Sequence, residues 1–359
     1  MKIFKLFLIL FLLSGCDVTV DEQPPMIVFV TGDEEYRSEE SMPMLAHLLH
    51  HRHGFDVKVV YAITDNIIDP NRTDNIEGLE ILADADMMVL YTRFRNLPDD
   101  QLQYILDFAE SGKPMAGFRT STHAFQYGEE HPNHYLDFEW PQNVFGLPWI
   151  SHHGSANSTE VSIAENHEGH PILRGIEPFH ARSWLYHSDT LLDSAQPLLT
   201  GRAVEGTEPD GDYFGEPHVV AWTHRYRGEH GESRIFFTTL GHPYDFFDEN
   251  MRRLSVQGMF WALGMENSIP DQGLNVDFTM EYDPNPAGFG QQFKQGLKPL
   301  PTIRHIFGLY VEIIPSVIGT YQKFGIPLLD EYGYSLELED GLLKESSMSQ
   351  VETLELSNF

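Results

Sequence analysis

The chain has 359 residues and carries 54 Asp and Glu against 23 Lys and Arg, which gives a formal net charge of −31 and a sequence pI near 4.8. Because nucleic acids are bound through a basic face, this acidity argues against a DNA or RNA partner, and equally against adhesion to anionic lipids through a polybasic patch. The 41% hydrophobic content is typical of a globular chain, and the single Cys excludes an intramolecular disulfide and a cysteine-rich zinc site.

The first sixteen residues have the pattern of a secretory signal. Lys2 and Lys5 precede an unbroken apolar run at residues 6–13, which is too short to span a bilayer. The Leu-Ser-Gly-Cys tetrad that ends at Cys16 resembles the bacterial lipobox, and this resemblance implies lipidation of Cys16. An ordinary signal peptide that happens to contain a Cys is the alternative. We expect an exported protein, held on the periplasmic side of a Gram-negative cell envelope only by its lipid anchor.

From residue 26 onward, apolar runs of strand length alternate with stretches of helical periodicity. The predicted strands are residues 26–31, 57–61, 86–91, 115–118, 219–223 and 234–240, of which the last two are candidate antiparallel neighbours. Helices are predicted from a cap at Ser38 to Gly54, from Pro98 to Gly112, and after a cap at Asp248. This alternation predicts an α/β fold with a largely parallel, doubly wound sheet.

Polar residues follow the predicted strands at the points where the strands end. They are Asp33, Glu34, Glu35 and Tyr36, then Arg93 and Arg95, then Arg119 to His123, and finally His242. In open α/β sheets ligands bind outside the carboxyl ends of the strands. We therefore expect these carboxylates, guanidinium groups and imidazoles to converge on one site. His152 and His153 lie in the irregular middle of the chain and could fold over the same edge.

Several segments of the chain resemble the ThuA-like (trehalose-utilisation) family. They are residues 32–36, 112–125, 170–172, 220–223 and 233–243, followed by Arg253 and residues 260–264. The resemblance covers roughly residues 26–266. It implies the class I glutamine amidotransferase-like fold, which is a flavodoxin-like, doubly wound, mostly parallel sheet in a three-layer sandwich. It also implies a role in carbohydrate catabolism.

The same resemblance provides a test of amidotransferase chemistry. Amidotransferases carry a nucleophilic Cys at the sharp turn after the Lys-Pro strand, and Arg119 occupies that position here. Because a guanidinium cannot attack a carbonyl or form a thioester, glutamine hydrolysis by that route is excluded. Thr120 or Ser121 could act as a hydroxyl nucleophile with His123 as its base. Capping of a helix by Ser121 or Thr122 is the alternative.

The neighbourhood of Tyr186 departs from the trehalose-type members of that family. Those members commonly carry an acidic pair before the Tyr, whereas this chain has residues 182–185, which contain no acidic residue. The departure argues against a trehalose-type substrate and suggests a different subgroup. Trp149, Trp184 and Tyr186 are candidate stacking faces for a sugar ring, with packing in the core as the alternative.

The candidate site residues fall into two groups, catalytic and substrate-binding. His242 and His123 are the candidate catalytic acid and base, and the candidate substrate-binding residues are Glu35, Tyr36, Arg93, Arg119, His153 and Tyr186. Arg93 and Arg119 could form a fork for a carboxylate, a phosphate or vicinal sugar hydroxyls, with ion pairs to Glu34 or Glu35 as the alternative.

Histidine, a common metal ligand, occurs 18 times in the chain. His152 and His153 together with Glu35 could supply nitrogen and oxygen ligands to a Zn²⁺ or Mn²⁺ ion, although no fixed ligand spacing supports such a divalent metal. The histidines at positions 47, 50, 51 and 53 are interpreted as solvated residues on or just after a helix.

These observations divide the chain into five expected segments and leave two functions open. The segments are a signal peptide at 1–16, a linker at 17–25, a ThuA-like domain at 26–266, an extended Pro/Gly-rich arm at 267–300, and a C-terminal extension at 301–359. The first function is an enzyme acting on a carbohydrate or a sugar-derived substrate by hydrolysis, elimination or isomerisation. The second is a non-catalytic lipoprotein that binds a sugar or an anion in the same pocket.

Overall fold

The computed structural model describes residues 24–154, 156–165 and 167–304, together with two short strands near the C-terminus. The predicted signal peptide, the lipidation site at Cys16, and most of the linker and of the C-terminal extension lie outside the described residues. No helix within the described ranges combines the length and the apolar character that crossing a bilayer requires.

Eleven strands form one mixed sheet at the centre of residues 24–304. They are β1 (Met26–Gly32), β2 (Asp56–Thr64), β3 (Ile67–Ile68), β4 (Ile76–Glu77), β5 (Met87–Thr92), β6 (Met115–Phe118), β7 (Asn157–Ile163), β8 (Phe179–Ala181), β9 (Gln196–Glu205), β10 (Tyr213–Arg227) and β11 (Glu232–Thr238). The C-terminal strands β12 (Leu336–Glu339) and β13 (Leu342–Glu345) pair with each other in an antiparallel hairpin.

The parallel core of the large sheet has the flavodoxin-like strand order. Strands β2, β1, β5, β6 and β11 lie side by side and parallel, which is the order 2-1-3-4-5 when the five are numbered along the chain. Antiparallel strands β10, β9, β7 and β8 extend the sheet beyond β11. The predicted α/β fold is confirmed, and so is the antiparallel pairing of β10 with β11.

Helices cover both faces of this sheet because its central strands are apolar on both sides. The helices are α1 (Ser38–His53), α2 (Asp99–Glu110), α3 (Glu139–Phe145) and α4 (Glu249–Ala262). Ile27 and Phe29 of β1 belong to the core that α1 and α4 complete, whereas Val28 and Val30 belong to the core that α2 and α3 complete. This alternation is the period of a strand buried on both faces, and it produces three layers.

The predicted caps Gly54 and Asp248 are confirmed, α2 lies between the predicted limits Pro98 and Gly112, and the predicted cap at Ser38 is wrong. Gly54 ends α1 with φ 75°, and the side chain of Asp248 accepts a 2.7 Å hydrogen bond from the N–H of Asn250 at the start of α4. Ser38 is not a cap. Its hydroxyl instead accepts a 3.2 Å hydrogen bond from the N–H of Gly32, and Arg37 precedes the helix in a left-handed conformation.

The interpretation of the α1 histidines as solvated residues is wrong for His50. This side chain is 6% exposed, and its Nδ1 lies 2.8 Å from the carbonyl oxygen of Phe55. His47 Nδ1 lies 2.8 Å from the hydroxyl of Thr279, and His53 also contacts the segment after α4. The segment after α4 packs along this end of the helix, which the helical pattern alone could not indicate.

That segment, residues 267–304, is irregular and lies along the body. The hydroxyl of Tyr282 donates to the carbonyl of Pro243 at 2.7 Å, and the N–H of Ile68 donates to the carbonyl of Leu297 at 2.9 Å. Further along the arm, the N–H of Gly288 donates to the carbonyl of Glu35 at 2.8 Å. The arm therefore reaches the carboxyl end of β1, where the polar residues lie.

Candidate functional site

A cavity of about 230 Å³ opens beyond the carboxyl ends of β1, β5 and β6. Strand order reverses between β1 and β5, and ligands of doubly wound sheets bind at such a switch point. The lining residues come from the strand ends, from the middle of the chain and from the arm. They are Glu35, Tyr36, Arg93, Phe94, His123, Trp149, His152, Trp184, Tyr186 and Phe289.

The turn after β1 is held by the buried carboxylate of Asp33. One oxygen of this carboxylate accepts hydrogen bonds from the backbone N–H groups of Glu35 and Tyr36 at 2.7 and 2.8 Å. The other oxygen accepts a hydrogen bond from the hydroxyl of Thr120, in the turn after β6. Asp33 thereby joins two strand ends and fixes the backbone that carries Glu35 and Tyr36 into the cavity wall.

Arg93 and Arg95 form a network of ion pairs with Glu34 and Glu35. Arg93 pairs with Glu34, and its Nε lies 3.2 Å from a carboxylate oxygen of Glu35. The fully buried Arg95 places Nη2 at 2.5 Å from the other oxygen of Glu34. The ion pairs considered as an alternative are therefore present, and Arg93 lines the cavity at the same time. The network sets two guanidinium groups against two carboxylates.

Two titratable groups in the cavity wall, Glu35 and His123, have pKa values shifted in the direction that favours the neutral form. Burial raises the pKa of Glu35, the charge of Asp33 raises it further, and Arg93 opposes the change. Burial lowers the pKa of His123 well below its usual value, and the nearby guanidinium groups add to this effect. Perturbed pKa values of this kind cluster at functional sites.

Arg119 supports the cavity wall from behind. It adopts a left-handed φ of 40° at the sharp turn after β6 and is fully buried. Its guanidinium donates to the carbonyl of Thr239 at 2.8 Å and to the hydroxyl of Tyr36 at 2.9 Å. The guanidinium carbon lies 4.1 Å from the ring centre of Tyr36 and 4.6 Å from that of Tyr186. Arg119 therefore does not line the cavity but positions two tyrosines that do.

Neither Thr120 nor Ser121, the two predicted hydroxyl nucleophiles in the turn after β6, is paired with His123. Ser121 donates to a backbone carbonyl of β5 at 2.8 Å, and Thr120 donates to Asp33. His123 Nδ1 instead lies 3.0 Å from the hydroxyl of Thr122. The predicted pairs of Thr120 or Ser121 with His123 are therefore absent, and Ser121 does not cap a helix. The hydroxyl that pairs with His123 is that of Thr122, which also donates to the carbonyl of Arg119 at 3.2 Å.

Aromatic rings form much of the cavity wall. The ring of His123 lies 4.9 Å from that of Phe94 and 4.7 Å from that of Trp149. Trp184 packs 4.8 Å from His152. The two tryptophans considered as stacking faces therefore lie in the wall, together with Phe94, which the sequence analysis did not single out although it follows Arg93 directly.

The arm contributes one aromatic residue that sequence reasoning missed. Phe289 lies between Gly288 and Gly290, is 53% exposed, and has its ring centre 5.1 Å from the guanidinium carbon of Arg93. The available signal was a lone aromatic between two glycines in a Pro/Gly-rich segment. Nothing in that pattern indicates which strand end the segment reaches.

His242 is not brought into the cavity wall. Its Nδ1 accepts a 3.1 Å hydrogen bond from the N–H of Tyr244, and its own N–H donates to Asp245 at 3.0 Å. These bonds cap the short turn Pro243–Phe247. Burial lowers the pKa of His242 to about 4. The residue caps the chain reversal that follows β11 rather than facing the cavity.

The adjacent histidines 152 and 153 face different surroundings. His152 forms an isolated β-bridge with Tyr186, and both side chains line the cavity. Trp184, two residues before Tyr186, lines it as well. His153 is absent from that wall and packs 4.0 Å from the ring of His187. Neighbouring residues of extended segments point to opposite sides, which explains the separation. The metal set of Glu35 with both histidines is therefore not assembled.

Fold and cavity together define a flavodoxin-like α/β protein with a candidate ligand site at the topological switch point. A family model described as trehalose utilisation, ThuA, matches residues 26–262. The chain belongs to the ThuA family. No protein of curated function matches the chain significantly.

Solved structures with a similar fold come from several bacterial proteins. A ThuA-like protein from Parabacteroides merdae is 16% identical, with a TM-score of 0.45, over 76% of this chain and 100% of its own. A cold-adapted β-galactosidase from Rahnella sp. R3 is 15% identical, with a TM-score of 0.36, over 69% of this chain and 32% of its own. An exo-β-1,4-mannosidase from Opitutaceae bacterium strain TAV5 is 12% identical, with a TM-score of 0.33, over 67% and 36%. This chain spans about a third of either glycosidase.

Proposed function

We propose that this protein binds a sugar or a sugar-derived molecule in the switch-point cavity and processes it in carbohydrate catabolism. The observation that carries the proposal is the combination of aromatic faces with hydrogen-bonding groups around one small cavity. Sugar rings present apolar C–H faces that pack on aromatic rings, and hydroxyls that need polar partners. The trehalose-utilisation description of the family supports the same class of ligand.

The size of the cavity favours a single sugar unit. Sites for drug-sized ligands span roughly 300–1,000 Å³. The cavity here is smaller, at about 230 Å³. Trp184 and Trp149 would stack on the ring, while Glu35, Arg93 and His152 would bind hydroxyls. A disaccharide would extend past Phe289 toward solvent.

The charge balance favours a neutral ligand over a phosphorylated one. The guanidinium groups of Arg93 and Arg95 are already paired with Glu34 and Glu35. A phosphate would have to displace a carboxylate from a partly buried pair, and this leaves a charge unpaired at considerable cost. Native and ring-oxidised glycosides are therefore better candidates than sugar phosphates.

The chemistry we propose is general acid–base catalysis. His123, kept neutral by burial, would accept a proton, and Glu35, whose pKa is raised, would donate one. Hydrolysis, elimination and isomerisation of a sugar all use such a pair. Thr120 and Ser121 donate to Asp33 and to a backbone carbonyl instead of to His123, which argues against either as a nucleophile activated by this histidine.

A non-catalytic sugar-binding role is the second candidate. It is favoured by the hydrogen bond between His123 and Thr122 and by the aromatic packing of the His123 ring, both typical of a structural histidine. Turnover of a panel of native and oxidised glycosides separates the two roles. Binding without turnover of any member would favour this second role.

The lipobox resemblance at Cys16 adds a cellular setting to the proposal. A lipid anchor there would hold the domain at the periplasmic side of the envelope, where the ligand would be an extracytoplasmic sugar. Labelling with a radioactive fatty acid tests this, since Cys16→Ser should abolish the label. Equal labelling of both proteins would contradict the anchor.

Calorimetric titration of the same glycoside panel tests the binding proposal. We expect one ligand per chain, and Trp184→Ala should weaken the tightest binding about tenfold or more because a stacking face is lost. Tyr104→Ala, which removes an aromatic ring 39% exposed on α2, is the matched control and should bind normally. Failure of every sugar to bind, or equal affinity in the Trp184 and Tyr104 variants, would refute the proposal.

A further inference from the structure

Three histidines from separate segments meet at a point outside the cavity wall. They are His153, His187 and His218, and one ring nitrogen from each lies within 4.8 Å of the others. The ring centres are 4.0 Å apart for His153 and His187, and 4.9 Å apart for the other two pairs. No other three His, Cys, Asp or Glu side chains in the described parts of the chain approach in this way.

The backbone is shaped to hold the ring of His153. The Nε2 atom of His153 is shielded from solvent and has no hydrogen-bond partner. Strand β10 is irregular between Phe214 and His218, and Gly215 within this bulge has a left-handed φ of 66°. A Cβ on Gly215 would lie 2.5 Å from Nδ1 of His153, so only glycine leaves room for the ring.

The surroundings of the three rings suit metal ligands. Burial and the neighbouring imidazoles lower the pKa of His153, and burial lowers that of His218, which favours the neutral, ligating form. Asp189 lies 3.5 Å from Nδ1 of His187 and 3.9 Å from Nδ1 of His218. His218 Nδ1 also accepts a 3.2 Å hydrogen bond from the N–H of Ser188, with which a metal at that atom would compete.

We propose that His153, His187 and His218 bind a divalent transition-metal ion, with Zn²⁺ as the best match. Imidazole nitrogens are preferred ligands of Zn²⁺, and three of them leave one tetrahedral position for water. Nitrogens that share a tetrahedral Zn²⁺ lie about 3.3 Å apart. The ring nitrogens of the cluster now lie within 4.8 Å of one another, so side-chain rotation has to bring them closer when the ion binds. A carboxylate that orients a ligating imidazole is a common accompaniment, and Asp189, 3.5 Å from Nδ1 of His187, is the nearest candidate for this role.

The site is distinct from the proposed sugar cavity. His153 and His187 alternate with His152 and Tyr186 along the two bridged segments, so the two sets of side chains serve different places. The metal proposal therefore stands or falls independently of sugar binding.

Titration of the chelator-treated full-length protein with ZnCl₂ in a calorimeter tests the proposal. We expect one Zn²⁺ per chain, and His187→Ala and His218→Ala should each weaken binding by more than about 100-fold. His230→Ala, which removes an exposed histidine outside the cluster, should bind like the parent protein. Asp189→Asn should weaken binding about 10–100-fold, because it removes only the orienting carboxylate.

Two results would overturn the proposal. One is Zn²⁺ affinity that is unchanged in His187→Ala and His218→Ala, or millimolar or weaker in the parent protein. The other is loss of the ion in His51→Ala, whose ring lies 4.0 Å from that of His47 on α1, because the ion would then sit on that helix. If the cluster variants fail to fold, the visible spectrum of the Co²⁺-loaded parent decides. Intense tetrahedral bands support the site, and weak octahedral bands contradict it.

Discussion

Asp33 shows how a single buried carboxylate can organise the end of a strand. It accepts hydrogen bonds from two backbone N–H groups and from Thr120, and its side chain is shielded from solvent. Hydrogen bonds to a charged group contribute about 1.5–3 kcal/mol each, and those left unmade in a buried site are costly. The residue thus links the stability of the turn to the shape of the cavity.

Replacing Asp33 by Ala should therefore destabilise the protein and weaken ligand binding together. We expect the free energy of unfolding to fall by about 2–4 kcal/mol, because three donors lose their acceptor. Urea denaturation measures the loss, and Asp210→Ala, at an exposed loop position, is the matched control. Equal stability of the two variants would show that Asp33 does not hold the turn.

The pH dependence of turnover should report Glu35 and His123. The pKa of His123 is lowered, so its base form is lost only below the usual histidine range, and turnover should fall there. The pKa of Glu35 is raised, so its acid form persists above the usual carboxyl range, and turnover should fall as pH rises through that raised value. Glu35→Gln should remove the alkaline limb, and His123→Gln the acidic one. A profile unchanged in both variants would exclude them as the acid and base.

Glu39 should make the protein less stable as pH rises. Its carboxylate oxygens have no hydrogen-bond partner, and Arg37 Nη1 is 3.9 Å away. Burial raises the pKa of Glu39 from 4.5 to about 8. Between these values the unfolded chain has released the proton while the folded chain retains it, so stability falls from about pH 4.5 to pH 8 and then levels.

Glu39→Gln should remove this penalty. We expect a gain in unfolding free energy of about 2–4 kcal/mol at pH 8.5 that vanishes near pH 4.5. Thermal melts across this range measure the difference, with Glu80→Gln, at an exposed position of the 3₁₀ turn Leu79–Ala83, as the control. A gain that is independent of pH would mean that Glu39 ionises normally in the folded protein.

At the scale of elements, the arm completes the cavity that the strand ends begin. Its Gly288 bonds to Glu35, and its Phe289 lies over Arg93. Phe289→Ala should weaken sugar binding about 3–10-fold, because one aromatic contact is lost. Stability should hardly change, since the ring is 53% exposed. Phe138→Ala, at a site 52% exposed and outside the cavity wall, is the control; an equal effect in both variants would exclude the arm from the site.

The elements of the parallel core were predictable, because its strands are continuous apolar runs and two helix ends carry strong capping residues. Strands β7, β8 and β9 and helix α3, in the middle of the chain, were not predicted. The location of the site was predictable for the same reason, since polar residues follow β1, β5 and β6. Which of two adjacent side chains in an irregular segment faces the cavity was not predictable, and His152 faces it rather than His153. The path of the arm was not predictable either, because its contacts join residues more than 200 positions apart, as between Arg37 and Pro286.

At the scale of the whole molecule, the chain is strongly acidic, but arginines are clustered at the candidate site. The chain carries a net charge of −31, yet three of its arginines lie together at the cavity, with Arg93 in the wall and the buried Arg95 and Arg119 behind it. They are occupied by carboxylates, carbonyls and tyrosine rings, so they shape the wall without making it a strong anion trap. The net negative charge of the chain and the pairing of these arginines disfavour the binding of anionic ligands, and both are compatible with a neutral sugar.

The antiparallel extension of the sheet carries residues of both proposed sites. β10 carries His218, and the segment after β8 carries both Trp184 and His187. The antiparallel part of the sheet and its connecting segments therefore supply part of the wall of the proposed sugar cavity and ligands of the proposed metal site. The parallel core supplies the carboxylates and arginines.

The most direct test of the account is a crystal structure of the protein with the glycoside that binds it most tightly. We expect one sugar ring in the switch-point cavity, stacked on Trp184 or Trp149 and within hydrogen-bond distance of Glu35 and His123. A sugar bound elsewhere on the chain, with this cavity occupied only by solvent, would contradict it.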